Sequence, residues 1–183
     1  MDRQQDISIR RAVSADAAAI AAIYNGYVET TIISFETEPV SVGEMAQRIA
    51  DRLTRYDWLV AEHEGRLIGY AYYGQFRTRA AYDHVVESTV YIAEDAIRLG
   101  VGRRLYAELL NSAQNKGFRE IIGVIALPND ASEQLHERMG FTLVGRLPKV
   151  GHKFGRYIDV SFWQWSLPDA SEDLTENHPE ETR

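Results

Sequence analysis

The segment Arg98-Leu99-Gly100-Val101-Gly102 carries two glycines spaced to bring a polypeptide backbone against a ligand. Glycine takes positive φ at little steric cost and leaves room for close approach. The first free amides of a following helix point outward. Such a turn, continued by Arg103, can hold a phosphate or pyrophosphate without a metal. Taken alone, R-x-G-x-G suits an ordinary strand-to-helix turn better. The dinucleotide fingerprint needs a third glycine where Leu105 stands, and the Walker pattern needs a Gly-Lys-Ser/Thr that is absent. A pyrophosphate held here belongs to some other carrier.

A second group of chemically able side chains lies upstream in QFRTRAAYDHV, where Arg77 and Arg79 stand between Phe76 and Tyr82. Paired arginines bind a carboxylate or another oxyanion through forked hydrogen bonds. On a loop they are more often simply solvated. Metal chemistry finds no support. There is no cysteine, and the five histidines, at 63, 84, 136, 152 and 178, show no ligand spacing.

The elements that must position these groups read clearly. Val85 to Ile92 is β-branched and apolar, as a strand is. Beyond Gly102, Leu105, Tyr106, Leu109, Leu110 and Ala113 share one helical face, and Lys116-Gly117 stops it. The turn therefore sits where a strand hands over to a helix. Earlier, Ile7 to Val13 alternates as a half-exposed strand. Ser14 is placed to cap a helix that buries Ile20, Ile23, Tyr24, Tyr27 and Val28. ETTIISFETEP, from Glu29 to Pro39, reads as a β-leaning loop whose Ile32, Ile33 and Phe35 suit either a pocket wall or a flap over the core. Ser41 and Glu44 form a capping box with a Val40–Met45 staple, predicting a second helix to about Thr54. Trp58 to His63 and Arg66 to Tyr73 are strands joined by a tight Glu64-Gly65 turn.

After the organising helix, Ile121 to Ala126 is a wholly apolar strand, expected to be buried on both faces. Asp130 with Glu133 reads as the N-cap of a helix from Ala131 to Met139, ended by Gly140. Phe141 to Val144 and Ile158 to Leu167 read as the last strands around a glycine-punctuated loop, PKVGHKFGR. Residues 1–167 form one domain, and 168–183 read as an acidic flexible tail.

Composition sets the outer bounds. At 183 residues with 45% hydrophobic content the chain can build one sizeable core. With 20 basic against 27 acidic residues, a net charge of -7 disfavours non-specific nucleic-acid binding. No apolar run approaches membrane-spanning length and Met1 to Gln5 has no signal-peptide character, so a soluble cytoplasmic protein is expected.

The order strand, two helices, hairpin, strand, helix, strand, helix, two strands mixes antiparallel pairs with one parallel crossover. It predicts an α+β fold, a mixed, mostly antiparallel central sheet flanked by helices. That order, with the strand-RLGVG-helix turn and the L-H-E-x-x-G-F helix, resembles the GNAT-type N-acetyltransferases. AYDHVVESTVYI, VIALPNDASEQLHERMGF and GHKFGRYIDVSFWQ resemble the phosphinothricin (methionine sulfone/sulfoximine) N-acetyltransferase branch over roughly residues 7–167.

The resemblance implies acetyl-CoA as co-substrate and no metal. Its pyrophosphate would lie on the amides of Arg98, Leu99, Gly100, Val101, Gly102 and Arg103. Its pantetheine arm would run beside Val90, Tyr91 and Ile92 as an added strand, meeting Asn129 and Ser132. The family usually has Gln or Arg where Ile97 stands, so one side-chain contact is missing. The chemistry implied is direct attack by an amine on a thioester in a ternary complex. Glu87 would take the ammonium proton, directly or through water; without the resemblance it reads as a structural carboxylate paired with Arg79. His136 stands where many relatives have a tyrosine that protonates the departing thiolate, and its ordinary pKa of about 6.5 suits proton transfer near neutrality. A lone helical histidine is usually structural. Between Glu87 and His136 the residues alone do not choose the base. Substrate positions implied are Phe35, Arg79 and Tyr82, beside Arg77 from the arginine pair, with Lys153 and Tyr157 adding contacts from the same or a partner subunit.

Three functions compete at this stage. The first is acetylation of the α-amine of a small amino-acid-like acceptor. The second keeps the chemistry but changes the acceptor to a protein N-terminus or polyamine, although a polyamine favours an acidic pocket over Arg77 and Arg79. The third is a catalytically silent CoA-binding module, against which Glu87 and His136 argue. The family resemblance also implies a homodimer, with Phe162, Trp163 and Trp165 as the contact, and no nucleic-acid or membrane partner.

Overall fold

The computed structural model describes residues 7–97 and 99–168. One seven-stranded sheet runs in the order β1-β2-β3-β4-β5-β7-β6. Its strands are β1 (Ile7–Arg11), β2 (Trp58–His63), β3 (Arg66–Gln75), β4 (Val85–Ile92), β5 (Glu120–Ala126), β6 (Thr142–Lys153) and β7 (Arg156–Ser166). All neighbours are antiparallel except β4 and β5. This is the α+β arrangement expected. The helices are α1 (Ala17–Thr30), α2 (Val42–Arg52), α3 (Val101–Asn115) and α4 (Asp130–Arg138).

Each sheet face is covered differently. On one side α3 buries Leu105, Tyr106, Leu109 and Leu110 against Ala71, Tyr73, Val86 and Ile121. Each such large apolar side chain contributes about 1.5–3 kcal/mol. On the other side α1 and α2 pack Ile20, Tyr24, Met45 and Ile49 onto Trp58, Val60, Tyr70 and Tyr91, covering the β1–β4 half. Beyond β4 that second face receives no helix from the described residues. The loop after α1 reaches over it, setting Ile32 on Ala126 and Ile158. For this reason Val124, expected inside, is 38% exposed.

Local chemistry follows the sequence with informative departures. Residues Ser14–Asp16 make a 3-10 turn instead of Ser14 capping α1. The Asp16 carboxylate accepts from the Val13 amide at 2.8 Å while Arg10 grips both its oxygens. A carboxylate held in place outcompetes a hydroxyl for that amide. Ser41 does cap α2, accepting from the Glu44 amide at 3.1 Å. The Glu44 carboxylate turns to Arg48 instead of closing the box, and α2 ends at Arg52. α4 is capped by Asn129, whose Oδ1 accepts from the Ser132 amide at 3.2 Å, and not by Asp130.

Glu64 and Gly65 both adopt positive φ (50° and 77°), as a two-residue hairpin turn requires. A second such turn, Phe154-Gly155, replaces the expected late loop. β6 and β7 continue through PKVGHKFGR, interrupted only between Leu147 and Gly151, where Asp159 accepts from the Lys149 amide at 2.8 Å. β6 is consequently an edge strand and β7 is not. Trp163 is buried and Trp165 packs against the α3-side core, so neither can be the exposed contact expected of them. The tail from residue 169 and Arg98 lie outside the described residues.

Candidate active site

β4 and β5 pair only from Val85–Glu120 to Ser88–Gly123, after which the strands part. Ala93 donates its amide to Ile68 on β3 at 2.8 Å. The alternation of an antiparallel ladder then turns the amide and carbonyl of Val90 away from β3 and into the opening beside β5. The Ile92 carbonyl, on the same edge, accepts from Tyr27 Oη at 2.6 Å. Tyr91 differs from its neighbours. Its backbone pairs with Tyr70 and its ring is buried against Tyr24 and Tyr27. One face of this opening thus offers unpaired backbone groups to an extended ligand.

At the same end of the sheet Gly100 takes φ 76° as the residue before α3. Val101, Gly102 and Arg103 form the first helical turn, whose amides have no acceptor within the helix. The Val101 and Leu99 side chains turn inward, and Arg103 is exposed. A Cβ at Gly102 would lie 3.3 Å from Leu135 and 3.9 Å from Ile92, so the turn is packed tightly against α4 and β4.

Glu87 and His136 lie on opposite sides of the sheet at the point where it opens. His136 is buried beneath Gly123, whose Cβ, if present, would collide with the ring. Its Nδ1 lies 2.8 Å from the Ser132 carbonyl, which can only accept, so Nδ1 carries the hydrogen. Nε2, 2.9 Å from Tyr106 Oη, then accepts from the phenol, and Tyr106 accepts in turn from Ser88 at 2.6 Å. Burial lowers the His136 pKa, with the Ser132 hydrogen bond acting against it. The ring is neutral and both nitrogens are occupied. Asn129 and Ser132 belong to the same end of α4, one as its cap and the other as the carbonyl that holds His136.

Glu87 faces the other way, in register with Gly74 on β3 and Ile122 on β5. Its carboxylate has no hydrogen-bond partner among the described residues. Burial raises its pKa, opposed by the charges of Arg52 and Arg77. No hydrogen bond or ion pair joins Glu87 to Arg79 among the described residues, so the expected pair does not form. Arg52 escaped the sequence reading entirely, since a basic residue in a helix's last turn is ordinary.

The remaining expected substrate residues ring the uncovered half of the sheet. A cleft of about 580 Å³ is lined by Arg77, Tyr82, Val85, Ile122, Phe162 and Leu147 among others. Arg77 lies over the Phe76 ring, 5.0 Å from its centroid, and Tyr82 meets the same ring edge-on. Arg79 is exposed beside them. Phe35 projects from the loop after α1 onto Gly151, where its ring fills the space of a missing side chain. Lys153 is buried and donates to the Ser34 carbonyl at 2.7 Å. It tethers the Phe35 loop and does not stand free in the cleft. Tyr157 is 69% exposed, its ring tilted against that of His152.

A family model described as an acetyltransferase (GNAT) domain matches residues 9–162. Across 88% of both chains, the sequence is 45% identical to a phosphinothricin N-acetyltransferase of Streptomyces viridochromogenes. It is 36% identical to an L-methionine sulfoximine/L-methionine sulfone acetyltransferase of Salmonella typhimurium, covering 90% of this chain and 99% of that one. Among solved structures, a GNAT superfamily phosphinothricin acetyltransferase from Sinorhizobium meliloti, in complex with acetyl-CoA, matches with a TM-score of 0.87 at 36% identity over 92% of each chain. The chain belongs to the GNAT acetyltransferase family, on the branch that holds the phosphinothricin and methionine sulfoximine N-acetyltransferases.

Proposed function

We propose that the protein transfers the acetyl group of acetyl-CoA to the α-amine of a small amino-acid-like acceptor of the phosphinothricin, methionine sulfoximine or methionine sulfone type. The observation that carries this reading is the place of Glu87. It is a carboxylate with no hydrogen-bond partner among the described residues, at the parting of β4 and β5 and within the electrostatic influence of Arg52 and Arg77.

The residues present suit acetyl-CoA. The first-turn amides of α3 favour a pyrophosphate, and the free amide and carbonyl of Val90 match an amide-bearing arm laid along a strand. When bound, the co-substrate supplies a thioester carbon to which the amine nitrogen bonds as the C–S bond breaks. Glu87 takes the proton that the ammonium form must lose. Burial supports this by making the carboxylate a stronger base than an exposed one. His136, neutral and bonded at both nitrogens, acts as a positioning residue that fixes Tyr106, Ser88 and the start of the opening. Arg77, Arg79 and Tyr82 provide cationic and phenolic contacts for the acceptor's oxygens, and Phe35 closes the far wall. The cationic surroundings speak against a polyamine acceptor, and a half-buried carboxylate with no hydrogen-bond partner among the described residues has no use in a silent CoA-binding module.

The reading includes a cytoplasmic homodimer. No helix among the described residues is long and apolar enough to cross a membrane. Leu143, Val144, Leu147 and Val150 are all exposed along the edge strand β6, and an apolar edge of this kind seeks a partner. Light scattering that shows a monomer at micromolar concentration overturns that part. The activity itself is tested by following free CoA thiol with a panel of amines. Release with amino-acid-like acceptors is expected, and thiol release that no acceptor accelerates sinks the reading.

A further inference from the structure

Gly74 on β3 stands directly across the ladder from Glu87, and the room left by its missing side chain is already taken. A Cβ at Gly74 would collide with Nη1 of Arg52 and lie 2.6 Å from its Cζ. Opposed Cβ positions in an antiparallel pair are about 4.5–5.5 Å apart. The end of the Arg52 guanidinium therefore stands roughly that far from the Glu87 Cβ. The group lies over the Tyr72 ring, 4.9 Å from its centroid, and its N–H groups find no hydrogen-bond acceptor among the described residues.

A guanidinium carries five donors in a fixed fork, and here the fork is left open to the oxygens of a ligand. A positive charge beside a general base weakens that base. An anion between the two fills the fork and offsets that charge. The anion's position relative to the amine can be bounded. An amine giving a proton to Glu87 lies about 2.6–3.2 Å from it, and in an α-amino acid the carboxylate carbon is about 2.5 Å from the amine nitrogen by bond lengths and angle. No other oxyanion of such an acceptor is this close to its amine.

We propose that Arg52 is a specificity-determining residue that holds the α-carboxylate of the acceptor, and that position 74 is glycine to admit it. The assignment rests on Glu87 receiving the amine, as set out above. It leaves Arg77, Arg79 and Tyr82, on the loop beyond, to the oxygens of the acceptor's side chain.

The test compares methionine sulfone with its carboxamide, which keeps the amine and side chain but removes the negative charge. In Arg52→Gln the ratio of kcat/KM for acid over amide should fall roughly 10- to 100-fold, the range of a lost charge-assisted hydrogen bond. Most of that fall should be in KM for the acid. Gly74→Ala gives an independent reading without removing the arginine, because the methyl group needs only to push a flexible guanidinium aside. It should collapse the same ratio while acetyl-CoA still raises the melting temperature. Equal losses for acid and amide in both variants overturn the proposal. So does a ratio that survives both changes but collapses in Arg79→Ala. A wild-type protein that acetylates no amino acid of the panel fails earlier, at the acetyltransfer reading itself, before any variant is compared.

Discussion

Glu87 and His136 stand back to back across the sheet, one facing the uncovered side and the other sealed beneath Gly123. Two groups so placed cannot exchange roles. Glu87 faces the side that carries Arg52 and Gly74, and His136 is hydrogen-bonded to Ser132 and Tyr106 on the other.

Removing the Glu87 carboxylate while keeping its shape should separate chemistry from binding. Glu87→Gln should lower kcat by roughly 10²- to 10⁴-fold, as loss of a general base does. The thermal shift produced by acetyl-CoA should remain. In the wild type the acid limb of kcat/KM should lie above the ordinary carboxylate range, because burial raises this pKa. Arg77→Gln should move the limb further up, since the lost positive charge favoured the ionised form. A limb at the ordinary carboxylate value would count against Glu87.

The same variant should be more stable than the wild type. A carboxylate with a raised folded pKa binds more protons folded than unfolded between the two pKa values. Stability therefore falls as pH rises through that window, and the full cost is present above the folded value. Calorimetry at pH 7 to 8 should give Glu87→Gln the higher Tm, with the gap closing below the ordinary carboxylate range. An active site that trades stability for function behaves in this way.

His136→Ala should weaken the fold and leave the acid limb where it is. It leaves the buried Tyr106 hydroxyl without an acceptor for its proton, at about 1–3 kcal/mol for a buried polar group left unpaired. For a chain of this size that is roughly 2–4 °C in Tm per kcal/mol. Disappearance of the acid limb in this variant, with Glu87→Gln near wild-type kcat, would move the base to His136.

The co-substrate turn is tested by calorimetry alone. Acetyl-CoA at one hundred times its Kd should stabilise the protein by about 2.7 kcal/mol. Gly102→Val should abolish this, since the larger side chain presses on Leu135 and Ile92 and blocks close approach to the first-turn amides. A folded variant that retains the shift would remove the turn from the site.

Lys153→Met should act through the Phe35 loop. The lost hydrogen bond to Ser34 frees the loop that carries Phe35, so KM for the acceptor should rise severalfold with the acetyl-CoA shift intact. Protease sensitivity between Thr31 and Pro39 should increase. Unchanged KM and cleavage would leave Lys153 with no bearing on acceptor binding.

Much of the site was legible where one residue's type determines its surroundings. Gly100 announced a turn that needs positive φ, the α3 face showed its period, and Ser41 capped the helix expected of it. The failures share a cause in tertiary context. Val124 is as apolar as Ile125, and nothing in the run says that one face of β5 lacks a helix. PKVGHKFGR is rich in turn-forming residues, yet pairing with β7 overrides that tendency. Lys153 carries no local sign that its ammonium will be buried against Ser34. Arg52 meets Gly74, twenty-two positions away, because the end of α2 packs over β3, and the β3–β4 register then sets both beside Glu87.

The one-sided cover of the sheet has a consequence for how such a protein can change over generations. Under α3 and α4, substitutions must satisfy a packed interior, and large-to-small changes there commonly cost 2–5 kcal/mol. Across the sheet, Val144 and Leu147 are exposed on the floor of the cleft, and no helix among the described residues rests on them. Exposed positions of that kind tolerate replacement at about 0.5 kcal/mol or less. Acceptor preference can therefore drift by exchange of floor residues while the machinery that handles the acetyl donor stays fixed. A lineage built on this plan can acquire new small-molecule targets without first acquiring spare stability.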